Sequence, residues 1–67
     1  MKTGWLAKEF GGENFELQVL QSAAGYYLGT LDKDGLPYSR ESQQYFPDED
    51  TARKALETGT FIQRKHP

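Results

Sequence analysis

Asp32-Lys33-Asp34-Gly35-Leu36-Pro37-Tyr38-Ser39-Arg40-Glu41-Ser42 is the stretch whose reading decides the fold. Its first four residues form the clearest turn signal in the chain. Asp tolerates left-handed backbone and hydrogen-bonds ahead onto its own main chain, and Gly supplies positive φ without steric cost. One strand enters such a turn and another leaves it, so the segment predicts an antiparallel hairpin. The leaving strand runs from Leu36 to about Tyr45. Pro37 has no N–H for a ladder, which puts its end of the strand at a sheet edge or a bulge. The strand is too polar to be only core and too regular to be only loop. Its polar side chains must face water, pair with one another, or meet a partner.

Working outward, Tyr26-Tyr27-Leu28-Gly29-Thr30-Leu31 suits a pleated surface and reads as the entering strand. Gly29 within it marks a bulge, or a side chain of the next strand lying across the backbone. Asn14 to Gln21 alternates with period two, Phe15, Leu17 and Val19 facing one way and Glu16 and Gln18 the other. That is a half-buried strand, entered from Gly11-Gly12 and closed by the turn Ser22-Ala23-Ala24-Gly25. On the far side, Asp48 is a good N-cap, Glu49 and Asp50 complement the helix dipole, and Gly59 ends the helix. Ala52, Ala55 and Leu56 share its apolar face. Glu49–Arg53 and Asp50–Lys54 are i, i+4 pairs on the other face. Phe46 packs back on the first turn as a hydrophobic staple.

Thr60 to Arg64 reads as a short final strand. Trp5 to Phe10 reads as a first strand or as a short helical arm whose Trp5 and Phe10 cover the core; the strand is favoured. The expected fold is α+β, one domain over residues 1–67. It is a small twisted antiparallel sheet of three to five strands with one helix packed on one face, in the order β(β)ββαβ.

Sixty-seven residues support one core, and a core of that size rarely supplies more than about 3–5 kcal/mol of net stability. The chain therefore packs tightly by itself or forms a homodimer that shares a core. With no cysteine, disulfides and thiolate metal sites are excluded. His66 is the single histidine and sits beside the C-terminus, so neither a metal nor another cofactor is expected. No stretch reaches the ~20 apolar residues of a membrane span, and the first residues lack the apolar run of a signal peptide. A cytoplasmic location is the resulting expectation. The net charge of −2 brings no bulk attraction to nucleic acid.

Alternation on the polar strand puts Tyr38 and Arg40 on one side and Ser39 and Glu41 on the other. One reading is a recognition strand, Arg40 binding a phosphate or carboxylate with Tyr38 stacked beside it. The other is internal: Arg40 pairs with a neighbouring carboxylate such as Glu16, Tyr38 packs its ring, and Glu41 accepts bonds from helix-start amides. Among the aromatics, Phe15, Tyr27, Phe46 and Phe61 are assigned to packing, which leaves Tyr26 and Tyr38 outside. Ser39, Ser42, Glu41 and Asp48 offer hydroxyls and carboxylates but no base held beside a nucleophile. Gly11-Gly12 lacks the spacing of a phosphate loop. An enzyme is not the expected reading.

The pattern Gly25-Tyr26-Tyr27-Leu28-Gly29-Thr30-Leu31, Asp34 to Ser42, Tyr45-Phe46, Ala52, Ala55-Leu56 and Gly59-Thr60-Phe61 resembles a group of small bacterial and phage proteins of unknown function. The resemblance covers about residues 14–64 and implies no activity. A looser likeness, of topology and helix entry only, is to DNA-binding domains that lay a three-stranded sheet in a groove, as in integrase arm-binding and related plant transcription-factor domains. Those domains carry several cations on the sheet face, where here Arg40 stands nearly alone.

The expectation is a non-enzymatic interaction module that meets an unidentified protein partner, or a second copy of itself, through the edge near Pro37 to Gln43. Its contact residues are Tyr26, Tyr38, Arg40 and Glu41. The alternative is a weak nucleic-acid binder using the same sheet face, with Arg40, Arg53, Lys54, Arg64 and Lys65 as its cations.

Overall fold

Three strands form one antiparallel sheet in chain order: β1 (Gln18–Ser22), β2 (Gly25–Leu31) and β3 (Pro37–Arg40). Helix α1 (Trp5–Gly11) precedes them and α2 (Glu49–Thr58) follows, giving the order αβββα. The computed structural model describes residues 2–66; Met1 and Pro67, the ends of the expected 1–67 domain, lie outside them. The chain is α+β with an antiparallel sheet.

Both hairpin turns follow from their residues. Ser22 pairs with Gly25 across Ala23-Ala24, and Gly25 alone takes positive φ there, 132°. In the second turn the Asp32 carboxylate accepts from the amides of Asp34 (2.9 Å) and Leu36 (3.0 Å), and Gly35 takes φ 81°. The β2–β3 register then slips by one residue between Thr30 and Leu31, which leaves Tyr38 as the extra residue of a bulge. Gly29 sits against the β3 backbone itself. A Cβ there would lie 2.3 Å from the Ser39 carbonyl oxygen.

Helix α2 matches its sequence signals. Asp48 caps it by accepting from the Thr51 amide at 2.7 Å, and Gly59 ends it at φ 71°. Ala52 and Ala55 are buried in a cluster with Leu17, Leu28 and Phe46. Their small side chains bring the helix close to β1 and β2. Arg53 reaches both Glu49 at 2.7 Å and Asp50 at 3.6 Å, so Asp50 pairs one residue earlier than the expected Lys54. These exposed pairs contribute only a few tenths of a kcal/mol.

Three expectations are corrected. Residues 5–10 are helical, not a strand. Gly4, at the N-cap, has no side chain to offer, and seven residues are too few to hold a helix in water; the missing cap comes from Glu41, far along the chain. Residues 60–64 do not make a final strand. Only the bridge Ser42–Gln63 forms, because the Ile62 amide goes to the side chain of Gln44. The strand after the turn is shorter than Leu36–Tyr45. Both Glu41 and Ser42 amides go to the one Leu28 carbonyl, and Ser42 Oγ takes the Leu28 amide at 3.0 Å. The chain then loops out and rejoins β2 where Phe46 and Tyr26 exchange two backbone bonds, of 2.7 and 3.1 Å.

Gly29→Ala is expected to cost about 2 kcal/mol or more, since a backbone oxygen occupies the space of the new methyl; urea unfolding measures it. The amide bond from Thr51, helped by the Thr51 hydroxyl and by Lys54, holds the Asp48 carboxyl below its ordinary 3.8. A depressed carboxyl stabilises the folded chain fully above its unfolded value, and the effect is lost as pH falls through the folded one. Asp48→Ala should therefore melt lower than the parent at neutral pH, with the gap closing below about pH 3.8 in parallel thermal melts.

Candidate interaction site

The polar run Ser39 to Ser42 ties β3 to α1, to β2 and to the C-terminal segment. Glu41 is 0% exposed, and four donors surround its carboxylate. Oε1 accepts from the Leu6 amide (2.8 Å) and Gln63 Nε2 (2.8 Å). Oε2 accepts from the Ala7 amide (3.2 Å) and the Ser39 hydroxyl (2.6 Å). Ser39 Oγ also meets Thr30 Oγ1 at 2.6 Å. A buried charge is tolerated only when its lone pairs are satisfied. Here helix-start amides, which carry partial positive charge, do much of that. Gly4 makes room, because a Cβ there would lie 2.6 Å from Oε2.

Arg40 points to a different task. Its Nε donates to the Ser42 carbonyl (3.0 Å), Nη2 to the Gln43 carbonyl, and Nη1 to the Tyr45 hydroxyl (3.0 Å). The guanidinium lies 4.3 Å over the Tyr45 ring, whose other neighbour is Tyr27. Arg40 thus braces the loop between Ser42 and Phe46. It pairs with Tyr45 rather than stacking beside Tyr38, and it does not meet Glu16. Ser42 Oγ, besides taking the Leu28 amide, donates to the Gln44 carbonyl at 2.9 Å.

The expected contact residues therefore separate. Glu41 is sealed inside the chain, and the amides it accepts from start α1, not the helix after Asp48. Tyr26 is half-buried and packs against the α2 cluster rather than standing outside. Tyr38 is exposed, its ring edge-to-face with Phe15 at 4.8 Å. The expected free edge is occupied beyond Arg40: Gln43 donates to the Ile62 carbonyl and Arg64 to the Glu41 carbonyl, each at 2.7 Å. Of the remaining cations, Arg53 is held by two carboxylates, Lys54 is exposed, Arg64 is half-buried, and Lys65 Nζ lies 5.3 Å over the Trp5 ring. Arg53 and Lys54 lie on α2 while Lys65 meets α1, and Arg40, the central one, is already engaged.

What remains open is a groove of about 330 Å³ between α1 and β3, lined by Leu6, Phe10, Gly11, Tyr38, Ser39 and Arg40. The aromatic rim continues from Phe10 to Trp5, ring centroids 6.4 Å apart. Phe10, Tyr38 and Trp5 are 59%, 43% and 40% exposed. Reading residues 5–10 as a strand hid the α1 half of this groove. The i, i+4 spacing of Leu6 and Phe10 was the available signal. Comparisons of the chain with protein-family models, with curated proteins and with solved structures find no match. Among the described residues no helix is long and apolar enough to cross a membrane.

Glu41→Gln replaces an acceptor with a donor that must face an N–H at either oxygen position, and is expected to cost about 3 kcal/mol. Glu41→Ala leaves two buried amides unpaired and should abolish the cooperative unfolding transition. Urea titrations followed by circular dichroism read both.

Proposed function

We propose that this chain is a non-enzymatic protein-interaction module, acting in the cytoplasm, that takes an apolar anchor side chain of a protein partner into the α1–β3 groove. The observation that carries the reading is the pair of exposed aromatics Phe10 and Tyr38 lining one groove with Leu6, with Trp5 edge-to-face on Phe10. Aromatic side chains around a small pocket are where protein interfaces concentrate their binding energy. The groove lies at the small end of the range of ligand pockets, about 300–1,000 Å³, which suits one anchor better than an extended ligand. Tyr38 and Arg40 belong to this surface; Glu41 ties its two walls together from within, and Tyr26 lies with the α2 cluster instead.

The same geometry speaks for binding rather than turnover. Ser39 does line the groove and donates to a carboxylate, the bond a nucleophile would need. However, that carboxylate already accepts from Leu6, Ala7 and Gln63, so the arrangement is a structural tie. Nucleic-acid binding draws no support from Arg40, whose donors face backbone carbonyls and a tyrosine.

Peptide display against the immobilised chain tests the reading. Enriched peptides should share a large apolar residue. Phe10→Asp should weaken them about tenfold or more at an unchanged melting temperature, since that ring is mostly in solvent. No enrichment over a blank surface, or equal binding by Phe10→Asp, overturns it.

A further inference from the structure

The two edges of the sheet are treated differently. Along β3, Pro37 removes a donor, the Tyr38 bulge breaks the ladder, α1 lies alongside, and residues 62–64 pair with 41–43. These are the devices that keep a strand edge from pairing with another chain. Within Gln18–Ser22 the β1 edge has none of them among the described residues. Gln18-Val19-Leu20-Gln21-Ser22 carries no charge and no proline, and its register against β2 is unbroken.

Which backbone groups this edge presents follows from its hydrogen bonds. Upstream, the Phe15 carbonyl accepts from Gly4 and the Leu17 amide donates to the Lys2 carbonyl, both away from β2. In an antiparallel ladder the N–H and C=O of one residue point to the same side, and alternate residues point oppositely. Gln18, Leu20 and Ser22 therefore bond to β2, and Val19 and Gln21 point outward. Residues 2–4 cover the edge at 15–17. Among the described residues nothing bonds to the outward groups of Val19 and Gln21.

We infer that this edge pairs with the β1 edge of a second copy, across a two-fold axis at Leu20, to form a continuous six-stranded sheet. That register sets Val19 opposite the partner's Gln21, and Gln21 opposite the partner's Val19. Both are outward-facing pairs, so each exchanges two N–H···O bonds. Leu20 meets the partner's Leu20 at the non-bonded position, where side chains come closest. A two-fold axis sets each residue against a copy of its own strand, so any charge in β1 would risk facing its like; there is none. Helix α2 packs over β1 and β2 alike. With strands about 4.8 Å apart, the two copies of α2 would stand about 10 Å apart on one face, which is an ordinary helix-packing distance. The radius of gyration, 10.8 Å, is that of a compact chain of this length, about 10.9 Å. The dimer therefore joins two finished cores rather than sharing one.

Sedimentation equilibrium over a wide concentration range should show a reversible monomer–dimer equilibrium ending at twice 7.6 kDa. Leu20→Lys and Leu20→Glu, each alone, should weaken it about tenfold or more, and mixing the two variants should restore a heterodimer. In the unmodified chain, amide exchange at Val19 and Gln21 should slow as concentration rises, while Leu20, already bonded to β2, does not change. A chain that stays monomeric throughout, or a dimer indifferent to both charges with Val19 and Gln21 still exchanging freely, overturns the inference. The exchange measurement decides the matter even if both variants fail to fold. The groove plays no part in this contact, so peptide capture and dimerisation fail independently.

Discussion

A single carboxylate organises this domain. Glu41 is enclosed by two amides of α1, a hydroxyl of β3 and the Gln63 side chain, and each of those groups depends on it in return. Helix α1 has no side-chain cap at its N-terminus and only seven residues. Its first amides find their acceptor on the sheet or not at all. The C-terminal segment is anchored to the same residue twice, by Gln63 Nε2 on the carboxylate and by the Arg64 amide on the backbone carbonyl. A chain this small cannot hold its ends with apolar area alone. Concentrating them on one charge-assisted cluster is a physical alternative to disulfides or a metal.

Around that cluster the polar strand is used completely. Ser39 joins Thr30 to Glu41, Arg40 braces the following loop, and Ser42 replaces a missing ladder partner for Leu28. Every buried side-chain nitrogen or oxygen among the described residues finds a partner. The cleft where α1 meets β3 is left open, lined largely by Leu6, Phe10, Gly11 and Tyr38.

How far the sequence could be read tracks how local the determining forces are. Asp32, Gly35, Asp48 and Gly59 act on backbone within four residues of themselves, and the turns and α2 stand where those residues place them. Gly29 signalled a close crossing, though a backbone carbonyl makes it rather than a side chain. Helix α1 was hard to read because its cap lies thirty-five positions away, and the i, i+4 spacing of Leu6 and Phe10 stood against the aromatic ends Trp5 and Phe10, which suit a strand. The groove shared that fate by half. Tyr38 and Arg40 stood out on the strand, but Leu6, Phe10 and Gly11 could join them only once the helix was known. Glu41 showed its character as a helix-start acceptor, although the helix it serves is the first and not the second.

The buried carboxylate also bears on how the chain reaches its fold. The hairpins between Gln18 and Arg40 close short loops and can form early. Glu41 has no such freedom, because its partners arrive from opposite ends of the chain. A half-assembled domain with only one end docked leaves part of the Glu41 coordination unmade, and the carboxylate is fully enclosed only when both ends are in place. Partly docked states are thereby emptied, and the two ends come on together or stay off. The charge acts as a cooperativity device, making a chain with so small an apolar core behave as one all-or-none unit.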